Sequence, residues 1–317
     1  MFASLDWLDI ALMIPVMIIS SYFGIESLNL FNFWLKLKRK NIQKYKTKDT
    51  WAIVTGSSDG LGKCFVNELA KAGYNVLLIS RNADKLKTVS EEIAIKYKVK
   101  TKVIAIDFTN KECMKTLQEN QIWRSTIDTK DVGVLINNVG INVKFPKYLE
   151  EITDDELENI INVNVLITSK LTKLMVQKML KRDCKSAIVS MGSSSGTTPT
   201  SLLSIYAASK SFINNFMESL SNEHPDKIDF LSVNLGTVKT TMTAVKKASL
   251  MVPEPENIIK AALMRVGVST NTNPYWVHRI MDILGTSGLT KSLYMKMVAG
   301  MSKKIREKAM KKLCKEE

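Results

Sequence analysis

A predicted strand, a glycine-rich turn and a predicted helix follow one another near residue 60, and this order constrains the fold more than any other feature. Residues 51–55 are apolar enough for a buried strand, and residues 63–72 place apolar positions with the helical period. Glycines between them let backbone N–H groups approach a phosphate, and the helix adds the positive end of its dipole. The sequence therefore predicts a nucleotide site with the contacts Gly56, Ser57, Ser58, Gly60, Leu61 and Gly62.

Strands and helices continue to alternate along most of the chain. Further strands are predicted at 75–79, 102–106, 132–136, 186–190 and 227–233, and helices at 83–97, 111–121, 153–181 and 204–221. Short connections between such elements require a parallel sheet. We therefore expect an α/β fold of the Rossmann type, a doubly wound parallel sheet with helices on both faces. Ligands bind beyond the carboxyl ends of such strands, where Gly56, Arg81, Asp107 and Asn137 fall.

The second predicted strand runs into Ser80 and Arg81, with no acidic residue at this place. An acid there holds the ribose 2′-hydroxyl of NAD(H), whereas an arginine pairs with the 2′-phosphate of NADP(H). The end of this strand therefore predicts NADPH/NADP+ as the cofactor, with the Ser80 hydroxyl assisting Arg81. The alternative is that Arg81 is an ordinary surface arginine.

Tyr206 and Lys210 are four residues apart in the predicted helix 204–221, so they share one helix face. A free tyrosine titrates near ~10, and an adjacent ammonium favours its ionised form, so we expect Lys210 to lower the pKa of Tyr206. Ser193 adds a hydroxyl that can hold a carbonyl oxygen, although two further serines follow it. These groups suit ketone reduction if a hydride donor lies opposite them. The alternative is a surface pair beside a flexible serine loop.

Cysteine and histidine usage argues against several other kinds of site. The four cysteines are scattered without a Cys-x-x-Cys pair, which favours a reducing compartment over a disulfide framework or a zinc site. With two histidines in the chain, His224 and His278, a Ser-His-Asp hydrolase and a histidine metal cluster are poorly supported. We therefore expect no metal.

The net charge of +14 is concentrated at the two flanks of the chain. Residues 36–48 hold seven basic residues and no acidic one, and the last fifteen residues hold seven basic and three acidic ones. Basic flanks beside an apolar segment favour a membrane with anionic lipids over nucleic acid as the partner. The alternative for the C-terminal flank is a solvated tail.

Residues 1–35 are predicted to be an N-terminal membrane anchor. The stretch 8–25 is close to the ~20 apolar residues that a span needs. Because residues 1–35 hold three acids and no lysine or arginine, they do not resemble a cleaved signal peptide. Residues 36–48 then form a basic juxtamembrane linker, which by the positive-inside rule places the rest of the chain in the cytosol. The alternative is a segment that lies in the plane of the membrane.

Over about residues 49–280 the chain resembles the short-chain dehydrogenase/reductases. The matching pieces are Thr55-Gly56-x-x-x-Gly60-x-Gly62, Asn137-Asn138-Val139-Gly140, Asn164, Ser193 and Tyr206-x-x-x-Lys210. Nearer still, the chain is similar to the membrane-bound 17-beta-hydroxysteroid dehydrogenase type 3/type 12 branch, which includes very-long-chain 3-oxoacyl-CoA reductases. This second similarity rests on the N-terminal apolar segment, Val139, and residues 77–81, 106–108, 202–206 and 252–255.

The resemblance implies a role for each matching residue. Tyr206 is the general acid, and Lys210 lowers its pKa and holds the nicotinamide ribose. Ser193 polarises the substrate carbonyl, and Asn164 anchors a water of the proton relay. Val238 and Thr240 lie near the nicotinamide carboxamide. Two departures from the family pattern are Leu235, where a proline is usual, and Asp59, where many NADP enzymes have a basic residue.

The substrate stays open between two classes. The resemblance implies an NADPH-dependent reductase of long-chain 3-oxoacyl-CoA in fatty-acid elongation, with a steroid ketone as the alternative. A catalytically silent, membrane-tethered nucleotide-binding scaffold is the alternative of another class, and the presence of Tyr206 counts against it. The endoplasmic reticulum membrane is the implied location, with the catalytic domain facing the cytosol, and a homodimer is a further expectation. Residues 281–317 are expected to form a basic extension, either packed or lying on the membrane.

Overall fold

Seven parallel strands form the centre of the computed structural model, which describes residues 42–241, 243, 245 and 247–315. They are β1 (Thr50–Thr55), β2 (Asn75–Ser80), β3 (Thr101–Ala105), β4 (Asp131–Asn137), β5 (Ser186–Met191), β6 (Ile228–Val233) and β7 (Asn271–Thr272). β1, β2 and β5 are buried along their whole length, so they read in the sequence as continuous apolar runs. The first six strands confirm the predicted ones to within one residue at each end.

Helices connect these strands. They are α1 (Gly60–Lys71), α2 (Ala83–Tyr97), α3 (Cys113–Glu119), α4 (Gln121–Thr129), α5 (Asp154–Ile161), α6 (Thr168–Met179), α7 (Ser204–Glu223), α8 (Pro255–Leu263), α9 (Trp276–Thr286) and α10 (Lys291–Leu313). The predicted start of α5 is confirmed, since Thr153 and Glu156 form a capping box.

Two helix predictions differ from the structure. The single helix predicted over 111–121 is two helices, because the Asn120 side chain accepts hydrogen bonds from the backbone N–H groups of Ile122 and Trp123 and so caps a new helix. The long helix predicted over 153–181 contains a π-helical turn at Asn162–Ile167 between α5 and α6. Such turns are frequent at functional sites, and this one carries Asn164.

The strand order is β3-β2-β1-β4-β5-β6-β7, so the sheet is doubly wound. The chain builds outward from β1 to β3 on one side and from β4 to β7 on the other. The reversal between β1 and β4 creates a topological switch point, and the ligand crevice of this architecture lies at the carboxyl ends beside it.

Helices cover both faces of the sheet, as predicted. Ala52 and Val54 of β1 point to one face, where they pack with apolar residues of α1, α2 and α8. Trp51 and Ile53 point to the other face, where α3, α4, α6 and α7 supply the partners. Alternate residues of one strand thus belong to two separate cores, which fixes the register of the strand.

The chain before β1 is fixed to the amino end of the sheet. A 3₁₀ turn at Ile42–Tyr45 is buried there, and the Tyr45 hydroxyl donates to Asp229 at 2.6 Å. Arg182 donates to the Tyr45 carbonyl at 3.1 Å and also pairs with Asp131. Residues 42–48, part of the predicted linker, therefore pack against the catalytic domain at the end opposite its crevice.

The predicted anchor 1–35 and the first part of the linker, 36–41, lie outside the described residues. Within the described ranges, every helix is too short or too polar to cross a bilayer.

Candidate active site

The carboxyl ends of five neighbouring strands meet along one edge of the sheet, and the predicted site residues collect there. The register places Thr55 beside Ile79, and Asn137 beside Ser190. Because all the strands are parallel, the turns that follow them open on the same side.

The turn after β1 requires glycine at several positions. Gly56 and Gly60 have φ values of 62° and 52°, a region that strongly favours glycine. A Cβ on Gly62 would overlap the carbonyl oxygen of Gly56, so α1 lies directly against the turn. Asn138 donates from Nδ2 to the carbonyl oxygens of Thr55 and Gly56, each at 3.0 Å, and this side chain joins the end of β4 to the end of β1.

Asp59 begins α1 as its N-cap. Its carboxylate accepts from the Gly60 N–H at 2.7 Å, from Thr241 at 2.9 Å and from Lys85 at 3.3 Å. Burial opposes the charge, but these hydrogen bonds outweigh it and lower the pKa of Asp59. Asp59, which stands where many NADP enzymes have a basic residue, therefore serves as a helix cap, and its charge is already paired with Lys85.

Arg81 follows β2 at the rim of the turn. Its side chain is exposed and has no hydrogen-bond or ion-pair partner in the described part of the chain. The Ser80 hydroxyl lies 2.9 Å from the hydroxyl of Ser58, which ties the end of β2 to the glycine turn. Ser57 is buried and donates to the Ile79 carbonyl. A guanidinium thus stands unpaired where a 2′-phosphate is expected.

Asp107 and Asn137 occupy the ends of β3 and β4 in different ways. The Asp107 carboxylate is used locally, since it accepts from the N–H and the hydroxyl of Thr109 at 2.9 and 2.8 Å. Asn137 is buried and donates to Thr172 at 2.9 Å and to Ser190 at 3.1 Å. Its Oδ1 has no partner among the described residues, so a buried acceptor is left at the carboxyl edge.

The loop after β6 lies over the glycine turn. Val238 is buried, and the Thr240 side chain is within 3.5 Å of the position that a Cβ on Gly60 would take. The structure therefore brings Val238 and Thr240 to the same crevice as Gly56, although they are distant in sequence.

Tyr206 and Lys210 lie one turn apart on α7 and face into the molecule beside Ser193. The Lys210 ammonium lies 5.6 Å from the centroid of the Tyr206 ring and donates to the Met191 carbonyl at 2.8 Å. The Ser193 hydroxyl is close enough to Tyr206 to favour the ionised form of the phenol, and it also donates to the Leu235 carbonyl at 3.4 Å. The backbone N–H of Ser193 donates to Asn234 at 3.0 Å. Three of the four predicted catalytic side chains are therefore neighbours.

The expected direction of the Tyr206 pKa is not what the structure shows. Burial raises the pKa of Tyr206, and the nearby Ser193 hydroxyl opposes this rise only in part. Burial also lowers the pKa of Lys210 to about 8. Desolvation disfavours the charged form of both groups and is the largest cause of both shifts. At neutral pH the phenol therefore keeps its proton, which is the form that a proton donor needs.

Asn164 is buried in the π-helical turn, and its side chain makes three hydrogen bonds that leave one acceptor site of Oδ1 open. Its Oδ1 accepts from the Ile141 N–H at 2.9 Å, and its Nδ2 donates to the Ile141 carbonyl and to Ser209, each at 3.0 Å. A Cβ on Gly140 would lie 3.2 Å from the Lys210 ammonium and 3.4 Å from Asn164 Oδ1. Asn164 Oδ1 and the Lys210 ammonium therefore both lie beside Gly140.

Several residues that hold the site were missed in the sequence. Asp282 of α9 accepts from Thr197 at 3.2 Å and from Asn273 at 2.9 Å, and so braces the loop that carries Ser193. His278 accepts from the Gly236 N–H at 3.2 Å and also lies 3.1 Å from the Met251 carbonyl. The contacts of Asp282 with Thr197 and of His278 with Gly236 join residues distant in sequence, and no local pattern marks them.

A family model described as short chain dehydrogenase matches residues 50–250, well over half of the chain. The chain belongs to the short-chain dehydrogenase family. The predicted family is thereby confirmed, and so is its enzyme class, an oxidoreductase. The match covers the glycine turn, Asn164, Ser193, Tyr206 and Lys210, which the fold brings together.

This short-chain dehydrogenase has relatives that align with it over most of their length. It is 38% identical to a very-long-chain 3-oxoacyl-CoA reductase of Homo sapiens over 265 residues, which is 83% of this chain and 82% of that protein. It is 34% identical to very-long-chain 3-oxoacyl-CoA reductase-B of Danio rerio over 90% of each chain. A very-long-chain 3-oxoacyl-CoA reductase of Podospora anserina is 37% identical over 88% of this chain and 84% of that protein.

Solved structures share the fold of this short-chain dehydrogenase at lower identity. A structure of 7beta-hydroxysteroid dehydrogenase superposes with a TM-score of 0.72 at 21% identity, covering 82% of this chain and 99% of that one. A short-chain dehydrogenase from Sphingobium yanoikuyae in complex with NADPH gives 0.62 at 22% identity, covering 72% and 88%. At these identities the similarity shows the fold alone.

The residues of the crevice fit a dinucleotide. Gly62 leaves no room for a side chain where α1 meets the turn, so backbone N–H groups are exposed to a pyrophosphate. The unpaired Oδ1 of Asn137 and the unpaired guanidinium of Arg81, each without a partner in the described ranges, add an acceptor and a cation along the same edge.

Proposed function

We propose that this enzyme is an NADPH-dependent reductase that converts (very-)long-chain 3-oxoacyl-CoA into 3-hydroxyacyl-CoA. The observation that carries the proposal is the convergence of Tyr206, Lys210, Ser193 and Asn164 at the nucleotide crevice. The substrate is inferred from three relatives, each at least 34% identical and named for that reaction.

When bound, NADPH supplies the hydride that goes to the carbonyl carbon. Tyr206 gives its phenolic proton to the carbonyl oxygen, so the product gains one hydride and one proton and becomes an alcohol. The raised pKa of Tyr206 keeps this proton in place until negative charge forms on the oxygen. The Ser193 hydroxyl, which lies beside Tyr206, orients that oxygen toward the phenol.

Lys210 places a positive charge beside the reacting groups. An ammonium has three donors, and the Met191 carbonyl takes one of them at 2.8 Å. The other donors can hold the nicotinamide ribose and stabilise the phenolate that remains after proton transfer. Asn164 lies close enough to anchor a water that returns a proton to this cluster.

Arg81 selects NADPH over NADH in this proposal. Its guanidinium is exposed and unpaired within the described residues, and the residue after β2 is not acidic. A bidentate contact from an arginine matches the geometry of a 2′-phosphate.

The substrate is tested by offering the purified full-length protein, with NADPH, a long-chain 3-oxoacyl-CoA and a 17-ketosteroid side by side. We expect NADPH consumption with the acyl-CoA, and the consumption should be lost in Tyr206→Phe. Faster turnover of the steroid would replace the substrate with the steroid alternative. Turnover of neither by a protein that binds NADPH would favour the silent scaffold.

We further propose that residues 1–35 anchor the enzyme in the endoplasmic reticulum membrane and that the catalytic domain faces the cytosol. The support is the apolar stretch 8–25 and the seven basic residues of 36–48. Alkaline carbonate extraction of membranes tests the anchor, since an anchored protein stays in the pellet and release into the supernatant would reject it. Homodimerisation stays a prediction from the sequence.

A further inference from the structure

Helix α9 is amphipathic in the reverse sense. Trp276, Ile280 and Ile283 face outward with 60%, 47% and 45% of their surface exposed, and Leu284 is also exposed. Its buried side carries Val277 and Gly285 together with two polar residues, His278 and Asp282. A surface helix of a globular protein normally turns its apolar stripe inward, so the outer face of α9 needs another explanation.

The polar side of α9 is fixed to the catalytic loops and cannot rotate outward. Asp282 accepts from Thr197 and Asn273, and His278 accepts from the Gly236 N–H. Turning the apolar stripe inward would break these buried hydrogen bonds and leave unpaired polar groups, which is costly. The exposure of the stripe is therefore built into the fold.

The apolar surface continues onto α10 and onto the loop before α8. Tyr294 of α10 packs against Gly285 of α9, and the Tyr275 hydroxyl donates to the Leu250 carbonyl at 2.8 Å. Ser302 is the one fully buried residue described in α10. We call the exposed apolar side chains of these connected segments the α9–α10 face; they are Leu250, Met251, Trp276, Ile280, Ile283, Leu284, Leu289, Leu293, Met297, Met301 and Ile305.

Positive charge flanks this face. Residues 291–315 contain nine basic residues and one acidic residue, and most of the basic ones lie in the second half of α10. Lys303, Lys304, Lys308 and Lys311 are exposed there. Apolar and aromatic side chains next to lysines are typical of a helix that lies in a membrane interface, with the apolar side in the acyl boundary and the lysines at anionic headgroups.

We propose that the α9–α10 face docks on the surface of a bilayer that contains anionic lipid. A second copy of the chain is the less favourable occupant, because two such faces would bring nine basic residues from each copy together. Contact with lipid would place the loop that carries Ser193 next to the membrane surface, since Asp282 joins that loop to α9. This docking is separate from any anchor at 1–35 and does not depend on which substrate is reduced.

The test uses full-length protein reconstituted with vesicles. It measures lipid contact at single labelled positions, so that binding through an N-terminal anchor does not mask the result. The exposed thiol of Cys314 and the half-buried one of Cys184 are replaced by serine, and Ile283→Cys is labelled with an environment-sensitive fluorophore. The matched control is Ile95→Cys on α2, an isolated exposed isoleucine outside the face. Vesicles contain phosphatidylcholine alone or with phosphatidylserine, and the acyl chains carry bromine as a quencher.

We expect a blue shift and bromine quenching at position 283 on the anionic vesicles, and neither at position 95. Replacing Lys303, Lys304, Lys308 and Lys311 by glutamine should weaken docking about fivefold for each lysine removed, and quenching at position 283 should fall to the level on neutral vesicles. If Ile283→Cys does not fold, Leu293→Cys reports on the same face at 74% exposure.

Two results would overturn the proposal. One is a water-like emission at position 283 on anionic vesicles that equals the emission at position 95. The other is crosslinking of two copies of the unlabelled Ile283→Cys variant through the introduced thiol, together with no bromine quenching of the labelled one, which would assign the face to a dimer. Neither result bears on NADPH consumption, so the failure of this proposal is distinguishable from failure of the proposed function.

Discussion

The ammonium of Lys210 lies 5.6 Å from the centroid of the Tyr206 ring while it donates to the Met191 carbonyl at the end of β5. Lys210 is buried and Tyr206 is partly buried, and desolvation pushes each toward its neutral form. The pair therefore holds a protonated phenol beside a lysine whose charge is easily lost. Since both side chains project from α7 and the lysine is also bonded to a strand, their position is set by the packing of α7 on the sheet.

The pH dependence of reduction follows from Lys210. Burial lowers the pKa of Lys210 from 10.5 to about 8, so its ammonium is present at pH 7 and is lost as the pH rises through 8. We expect kcat of reduction to fall above pH 8. Lys210→Arg, slower at pH 7, should not show this fall, because a guanidinium stays charged. A parent profile that is flat to about pH 9 would contradict the role of the ammonium.

The lowered pKa of Lys210 also makes the stability of the protein depend on pH. Between pH 8 and 10.5 the unfolded chain binds a proton at Lys210 that the folded chain has released. The contribution of Lys210 to the free energy of unfolding therefore becomes more favourable as pH rises across this window. Urea denaturation of the parent and of Lys210→Met at about pH 7 and 9 gives the change in the free energy of unfolding with pH. An equal change in the two proteins would contradict this contribution of Lys210.

Arg81→Asp is expected to change the preference between cofactors. The variant loses the cation for the 2′-phosphate and gains an acceptor for a 2′-hydroxyl, so the ratio of kcat/KM for NADPH over NADH should fall about ten- to a hundredfold. Lys87→Asp, an exposed substitution on the helix α2 that follows, is the matched control and should leave the ratio unchanged. An unaltered ratio in Arg81→Asp would remove the arginine from the cofactor site.

Gly62→Ala is expected to disable nucleotide binding. The added Cβ would overlap the Gly56 carbonyl oxygen and would approach Asn138 Nδ2 to 2.7 Å, so α1 must move away from the turn. Titration of NADPH fluorescence should show at least about tenfold weaker binding. Gly300→Ala, also a helical glycine but with nothing within 4 Å of the new Cβ, should bind normally and gain about 0.5–1 kcal/mol. Equal binding by both variants would refute the close packing of α1.

Asp131 and Arg182 anchor the amino end of the sheet. Burial opposes the charge of Asp131, but hydrogen bonds from Arg182, Thr50 and Thr47 outweigh it and lower the pKa of Asp131 to about 2. Because the folded pKa lies below the unfolded value of 3.8, this stability is present above pH 3.8 and is lost as pH falls toward 2.

Asp131→Asn should therefore destabilise the protein at neutral pH. We expect a loss of about 2 kcal/mol, below the value for a fully buried pair because Asp131 is 31% exposed. Chemical denaturation measures the difference, and Asp183→Asn, an exposed neighbour, serves as the control. A loss no larger than that of the control would show that the pair contributes little.

Much of the fold was predictable because its determinants are local. Buried parallel strands such as β1 are continuous apolar runs, and the glycine turn sits between a strand and a helix where the pattern is specific. The two-residue strand β7 at Asn271 was missed, since a segment this short has no period to read. The break at Asn120 was also missed, because an asparagine cap inside a helical stretch looks like one polar residue on a helix face.

The residues of the site were predictable because the sequence resembles the short-chain dehydrogenase/reductases, whose motifs identify Tyr206, Lys210 and Ser193. The sign of the Tyr206 pKa was not, because sequence spacing gives the charge neighbour but not the depth of burial. Asp282 and Asn138 were missed as supports of the site for a related reason. Their partners, Thr197 and Thr55, are distant in the sequence and meet them only in the folded protein.

Tyr206→Phe tests the central claim most directly, because it removes one hydroxyl from a partly buried ring and leaves the packing of α7 in place. Single-turnover oxidation of bound NADPH by a long-chain 3-oxoacyl-CoA is the measurement, with NADPH affinity determined on the same protein. We predict a rate about 10² to 10⁴ times lower than that of the parent, with unchanged NADPH affinity. A rate within about twofold of the parent would show that another group donates the proton.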